Sequence, residues 1–173
     1  MKKILVVLLF LATFTLTACG SSEKKVDLNK TQKVTIGELS AEVPTAFEKS
    51  DQSSEDLMFY DIKDYDYDLS VCSLTFDLDE VYKYGDSIEE ELGREFSSEF
   101  FQPSTINKTT LNGREWTIAE AKSLEKDGGY YLKGMYVTDY NNKRYTFEYT
   151  NYVAEKISCA TLVQKIANSL KFQ

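Results

Sequence analysis

Asp64, Asp66 and Asp68 alternate with Tyr65 and Tyr67 and form the densest group of hard oxygen donors in this chain of 173 residues. The alternation opens a calcium loop, in which carboxylates two residues apart begin to wrap a divalent cation. The match ends at Leu69, where such a loop needs a glycine for its sharp turn, and at Thr75, where it needs a bidentate glutamate. The triad therefore holds calcium only if oxygens from elsewhere complete the shell; otherwise it is an acidic, solvated loop between two strands. The rest of the composition points away from metals and from catalysis. With no histidine, the chain lacks an imidazole for a Ser-His or Cys-His pair, for proton transfer near neutral pH, or for zinc, copper or iron. Asp77, Asp79 and Glu80 supply carboxylates of the kind glycoside hydrolysis uses, but sequence neighbours like these form a solvated turn. Gly128-Gly129 lies between strands with no lysine-serine pair opening a helix after it, so it is no phosphate loop. No enzyme and no cofactor is expected.

Two other residue types carry chemistry. Tyrosine is abundant, with 12 in the chain, and its apolar ring and polar tip suit stacking on a partner protein or a sugar. Alternating tyrosines on half-buried strands also serve the sheet itself. Tyr65, Tyr67 and the neighbours Tyr130 and Tyr131 fall in or beside loops, where recognition surfaces are carried, and make the candidate binding patch. The third group is Cys19, Cys72 and Cys159.

Cys19 takes its meaning from what precedes it. Met1-Lys2-Lys3 is followed by an apolar run from Ile4 to Leu16, too short for a stable membrane span but of the length that export requires. Leu16-Thr17-Ala18-Cys19 resembles the lipobox of bacterial lipoproteins. Small residues at Thr17 and Ala18 leave room for a peptidase, and a thiol is the nucleophile that lipid transfer needs. The resemblance implies that residues 1–18 are a signal peptide and that Cys19 becomes a lipidated first residue. It also implies diacylglycerol and palmitate chains and a place on the extracytoplasmic face of the cell membrane. At roughly 0.8 kcal/mol per buried methylene, two acyl chains contribute on the order of 20 kcal/mol, enough for stable anchoring. Residues 19–32 (CGSSEKKVDLNKTQ) are polar and without apolar periodicity, and a coil of about thirteen residues spans roughly 20 Å. Export also makes a disulfide between Cys72 and Cys159 feasible, worth roughly 3–5 kcal/mol in the chain-entropy model. Two buried apolar thiols are the alternative reading. Loss of Lys2 and Lys3 with the first 18 residues takes the formal charge from −8 to −10 over the remaining 155, which excludes nucleic acid and basic-patch docking on anionic lipid.

Residues 33–173 must then supply the folded domain. Val34 to Ile36 and Leu39 to Val43 flank Gly37-Glu38 as a hairpin ended by Pro44, with Phe47 plugging the core. Leu57 to Ile62 and Leu69 to Leu78 read as a strand pair, the second with Cys72, Leu74, Phe76 and Leu78 on one face and Leu69 and Val71 on the other. Ser87 and Glu90 form a capping box, and Ile88, Leu92, Phe96 and Phe100 recur at helical spacing, so a helix is expected up to Pro103. Thr105 to Leu111, Glu115 to Leu124, Tyr130 to Asp139 and Arg144 to Thr150 form a meander turned at Asn112-Gly113, Asp127-Gly128-Gly129 and Asn141-Asn142. A last helix near Ser158 to Leu170 presents Cys159, Val163, Ile166, Ala167 and Leu170 to the sheet.

Ser40-Ala41-Glu42-Val43-Pro44 with Phe47, the central helix, Leu111-Asn112-Gly113-Arg114 and Ile166-Ala167-Asn168-Ser169-Leu170 together resemble the PsbP-like fold, with Phe47 where a tryptophan is more usual. The resemblance implies an α+β domain in which an antiparallel β-sheet meander is flanked by helices, a PsbP-like sandwich. It brings no catalytic residue and implies an accessory or binding role. The expected function is that of a non-catalytic module, held to the membrane by N-terminal lipid, for an envelope protein or cell-wall partner. The alternative is a small-molecule or ion-binding lipoprotein serving a transporter or sensor, which needs a concave pocket.

Overall fold

Left-handed backbone at Gly37, Asn112, Gly113, Asn141 and Asn142 marks three tight turns, each at a position whose residue types tolerate positive φ. The computed structural model describes residues 29–64, 69–81, 87–97, 105–123, 129–153 and 159–173. Their strands are β1 (Thr31–Ile36), β2 (Leu39–Pro44), β3 (Glu48–Lys49), β4 (Leu57–Asp64), β5 (Leu69–Glu80), β6 (Thr105–Leu111), β7 (Arg114–Lys122), β8 (Tyr130–Tyr140), β9 (Lys143–Val153) and β10 (Lys171–Phe172). The helices are α1 (Ile88–Glu95) and α2 (Ala160–Ser169). Seven strands form one sheet in the order β3-β4-β5-β9-β8-β7-β6, and β1-β2-β10 form a second, smaller one. Every pairing is antiparallel. Among the described residues no helix is long and apolar enough to cross a membrane.

Strand alternation gives the large sheet two unlike faces. Leu74, Phe76, Trp116, Tyr136, Tyr145, Phe147 and Tyr149 line one, packed under α2 and the β1-β2 hairpin. Phe76 and Phe147 stack at 5.1 Å between ring centroids. Phe172 closes one end of this core against Tyr140 at 4.3 Å and Tyr145 at 4.9 Å. The turn glycine Gly37 sits where a Cβ would lie 2.9 Å from Leu78 Cδ2 and 3.0 Å from the Tyr145 hydroxyl, so the hairpin seats directly on the sheet. Asn112 donates to the carbonyls of Asn168 and Leu170, at 2.9 Å each, which ties the β6-β7 turn to the end of α2. The opposite face carries a smaller apolar cluster, Leu92, Phe96, Ala119, Ala121, Met135 and Val137, under α1.

The expected architecture is corrected in two respects. The fold is dominated by sheet: its helices are short, and the layer opposite the large sheet on the α2 side is completed by the three-stranded sheet. The central helix begins as expected, with Ser87 and Glu90 bonded reciprocally, but it ends at Glu95 instead of continuing toward Pro103. Ser97 bonds the Arg94 carbonyl through both its amide and its hydroxyl, which satisfies the helix end locally and lets the chain leave. Leu92 and Phe96 are buried as the periodicity predicts; Phe100 and Pro103 lie outside the described residues.

Candidate functional site

Consecutive strand residues point to opposite faces, and this separates Tyr130 from Tyr131. Tyr130 is half-buried on the α2 side, with the Lys122 ammonium 3.8 Å from its ring centroid, a distance at which a cation is drawn to the ring face. Tyr131 lies on the α1 side and is 47% exposed. Its ring packs on Tyr152 at 5.0 Å between centroids. The backbone beneath it is fixed on both sides, because the Tyr131 amide donates to Ser123 Oγ and the Ser123 amide donates to the Tyr131 carbonyl, each at 2.8 Å. An exposed ring backed by a half-buried one on a pinned strand end presents contact area with little ordering cost on binding. Tyr152 can lie where it does because Gly129 carries no side chain: a Cβ there would be 2.2 Å from its hydroxyl.

The same face holds a charged strip under α1. Lys133 bridges Glu95 at 2.6 Å and Glu148 at 3.4 Å. Burial pulls the Lys133 ammonium down, but the bond to Glu95 and the Glu148 charge outweigh it and leave it above its ordinary value. Glu148 is raised as well, because burial of its carboxylate outweighs the attraction of Lys133. Farther along, Arg144 is only 4% exposed and forms a fork with Asp139, from Nε to Oδ1 at 2.9 Å and from Nη2 to Oδ2 at 3.1 Å. Its Nη1 donates to Glu91 of α1. The bonds to Asp139 and Glu91 hold this guanidinium above even its usual high value despite burial. Beside it opens a cleft of about 460 Å³ lined by Ser87, Lys108, Arg114, Glu115, Asp139 and Arg144, among others. Its charges are largely answered from within: Lys108 pairs with Glu115 at 3.1 Å and Glu89 at 3.5 Å, and the Arg114 guanidinium lies 4.4 Å from the Tyr140 ring centroid. Such a cleft can seat a small polar molecule, and among the described residues that line it no nucleophile is set against a general base.

Asp66, Asp68, Tyr65, Tyr67 and Cys19 lie outside the described residues, as does the side chain of Asp64. Among the described residues no three acids or thiols converge as a metal centre requires. Cys72 and Cys159 are both buried, and the Cys72 thiol donates to the sulfur of Cys159. Sequence reasoning missed Arg144 and the Lys133-Glu148 pair, because a cation or acid on an alternating strand has the same appearance whether α1 covers it or water does. It also missed Tyr149, whose hydroxyl reaches Glu120 across Gly134. Burial first, and then that bond, raise the Tyr149 phenol above its ordinary value.

No family model matches the chain, and no curated protein matches it. Solved structures do. Cyanobacterial PsbP (CyanoP) from Synechocystis is 16% identical, with 91% of this chain and 99% of that one aligned at a TM-score of 0.56. The Ran-binding protein Mog1p of Saccharomyces cerevisiae is 12% identical over 83% of this chain and 95% of its own, at 0.55. A protein from Bacteroides thetaiotaomicron is 16% identical over 84% of this chain at 0.51, and this chain spans about half (49%) of its length. At such identities the likeness establishes the fold, which this chain shares with PsbP.

Proposed function

We propose that the chain is a lipoprotein anchored through Cys19 to the extracytoplasmic face of the cell membrane, with residues 19–30 as tether, shorter than the sequence suggests because Thr31 and Gln32 already pair in β1, and residues 31–173 as a non-catalytic binding or accessory module for another envelope component. The observation that carries the binding role is the exposed Tyr131 ring, backed by half-buried Tyr152, on a strand end whose backbone is already fixed. Aromatic residues held in this way are the usual anchors of protein interfaces. Mog1p, described as Ran-binding, is one case of this fold serving protein recognition. The lipobox and the net negative charge support the location and a partner that is not nucleic acid. The test is a photo-reactive amino acid placed at Tyr131 in the membrane-tethered chain, with exposed Glu55 as the control position. Irradiation of intact cells is expected to give a discrete cross-linked protein from position 131 and none from 55. Equal or absent cross-linking at the two positions overturns the assignment of the patch.

A second reading, a small-molecule or ion-binding lipoprotein serving a transporter or sensor, is favoured by the cleft beside Arg144. It predicts that a small polar molecule raises the melting temperature of the protein and that Lys108→Ala with Arg114→Ala abolishes the rise. A broad metabolite screen that produces no rise removes it.

A further inference from the structure

Cys72 and Cys159 enter one buried site from elements distant in sequence. Cys72 is on β5, the neighbour of β9 in the large sheet, and Cys159 is the residue at which α2 begins. Cys72 is 0% and Cys159 6% exposed. Both belong to the same apolar core, and their sulfurs are in contact, with the Cys72 thiol donating to Cys159. Across the β5-β9 register Cys72 stands opposite Asn151. The Asn151 side chain is 0% exposed, and its amide nitrogen and oxygen have no hydrogen-bond partner among the described residues.

Among the described residues the start of α2 has no capping side chain. Cys159 sits at the N-cap without a side-chain capping bond to the helix backbone, and the first turn contains no acidic residue, whereas α1 has a complete capping box and three glutamates. A thiol at this position faces the positive end of the helix dipole, which favours its thiolate. The hydrogen bond from Cys72 acts in the same direction, against burial. The helix end acts on Cys159 whether or not α2 is docked, which makes Cys159 the sulfur suited to attack first.

We propose that Cys72 and Cys159 close to a disulfide that fastens the beginning of α2 to β5. In the first step the Cys159 thiolate attacks one sulfur of a donor disulfide, either a low-molecular-weight disulfide or that of an extracytoplasmic dithiol oxidase. The donor's S–S bond breaks, and one donor sulfur leaves as a thiolate. In the second step Cys72 gives up its proton and attacks Cys159 Sγ, and the second donor sulfur leaves. Two protein thiols become one disulfide, and one donor disulfide becomes two thiols. Because both sulfurs are buried in the finished fold, the exchange takes place while the start of α2 is undocked. The supply of oxidant rests on the extracytoplasmic placement proposed above; the pairing itself rests on the contact between the sulfurs.

The two parts are tested separately. For the pairing, the purified full-length protein is reduced, unfolded, and refolded with oxidised glutathione, then unfolded again and alkylated. Peptide mass spectrometry is expected to find Cys72 and Cys159 linked to each other, with a melting temperature that falls on reduction in the parent but not in the Cys72→Ala/Cys159→Ala variant. Separate alkylation of both residues overturns the proposal. For the placement, the protein is taken from cells quenched in acid and alkylated before extraction. Recovery of the linked peptides supports both parts, whereas a pair that links in glutathione but is found reduced in cells upholds the pairing and contradicts the extracytoplasmic placement.

Discussion

Arg144 shows how a charge can be taken under a helix without being left alone. It is answered by Asp139 on the neighbouring strand and by Glu91 on α1, so it joins two elements while remaining buried. Hydrogen bonds to charged groups contribute more than neutral ones, and removing the cation leaves two carboxylates close together. Both are partly exposed, which moderates the penalty, and Arg144→Met is expected to lower the unfolding free energy by about 2–3 kcal/mol. Urea titration checks this as a lower midpoint with an unchanged slope. Glu148 sets a pH dependence. Burial raises its carboxyl above the ordinary 4.5, so the native state binds that proton more tightly than the unfolded chain. Stability contributed by the protonated form is therefore lost as pH rises from that ordinary value through the raised one. Glu148→Gln, uncharged throughout, should gain in melting temperature relative to the parent between about pH 4 and 7. A parent that gains on the variant over this range would show that the Lys133 pair outweighs burial. Asp139 faces Arg144 across the Asn141-Asn142 turn that the sequence announces, but Glu91 meets Arg144 only through the docking of α1, which the sequence does not show. The pairing of Cys72 with Cys159 was open in the sequence as one of two readings, a disulfide or two buried thiols.

Turns and strands were far easier to read than what packs on them. Asn112-Gly113 and Asn141-Asn142 adopt positive φ because their own chemistry permits it, and they dictate the register of β6-β7 and β8-β9. The start of α1 is equally local, written in Ser87 and Glu90. Its end was misjudged because Phe96 and Phe100 continue the apolar spacing while Ser97 offers the backbone a competing bond. Gly134 lies within β8. In the structure the Tyr149 ring lies across it, and a Cβ would come within 2.3 Å of that ring, so a bare backbone on β8 lets β9 reach Glu120 on β7. Gly134→Ala is expected to destabilise the domain by about 1–3 kcal/mol, the cost of overpacking. In the background of Tyr149→Ala the same change should cost far less, and a double-mutant cycle reads the difference. Additive effects of the two changes would mean that the ring does not occupy that place.

For the whole molecule, the antiparallel PsbP-like meander was legible because its turn chemistry and short alternating strands run in order through the chain, whereas the dominance of sheet over helix was not. The smaller sheet was not, since the β2-β10 pairing joins residues 39–40 to residues 171–172. The account of function depends on a domain that recognises its partner while tethered outside the cell. Its most direct test is the mass of the amino-terminal peptide from protein extracted from membranes, read beside the fractionation of Cys19→Ser. The account predicts a chain that starts at Cys19 and carries diacylglycerol and an amide-linked fatty acid, and a serine variant in which this modification is absent and the signal segment is retained. An unmodified Cys19 in the parent, or identical processing and membrane retention in the two proteins, would contradict it.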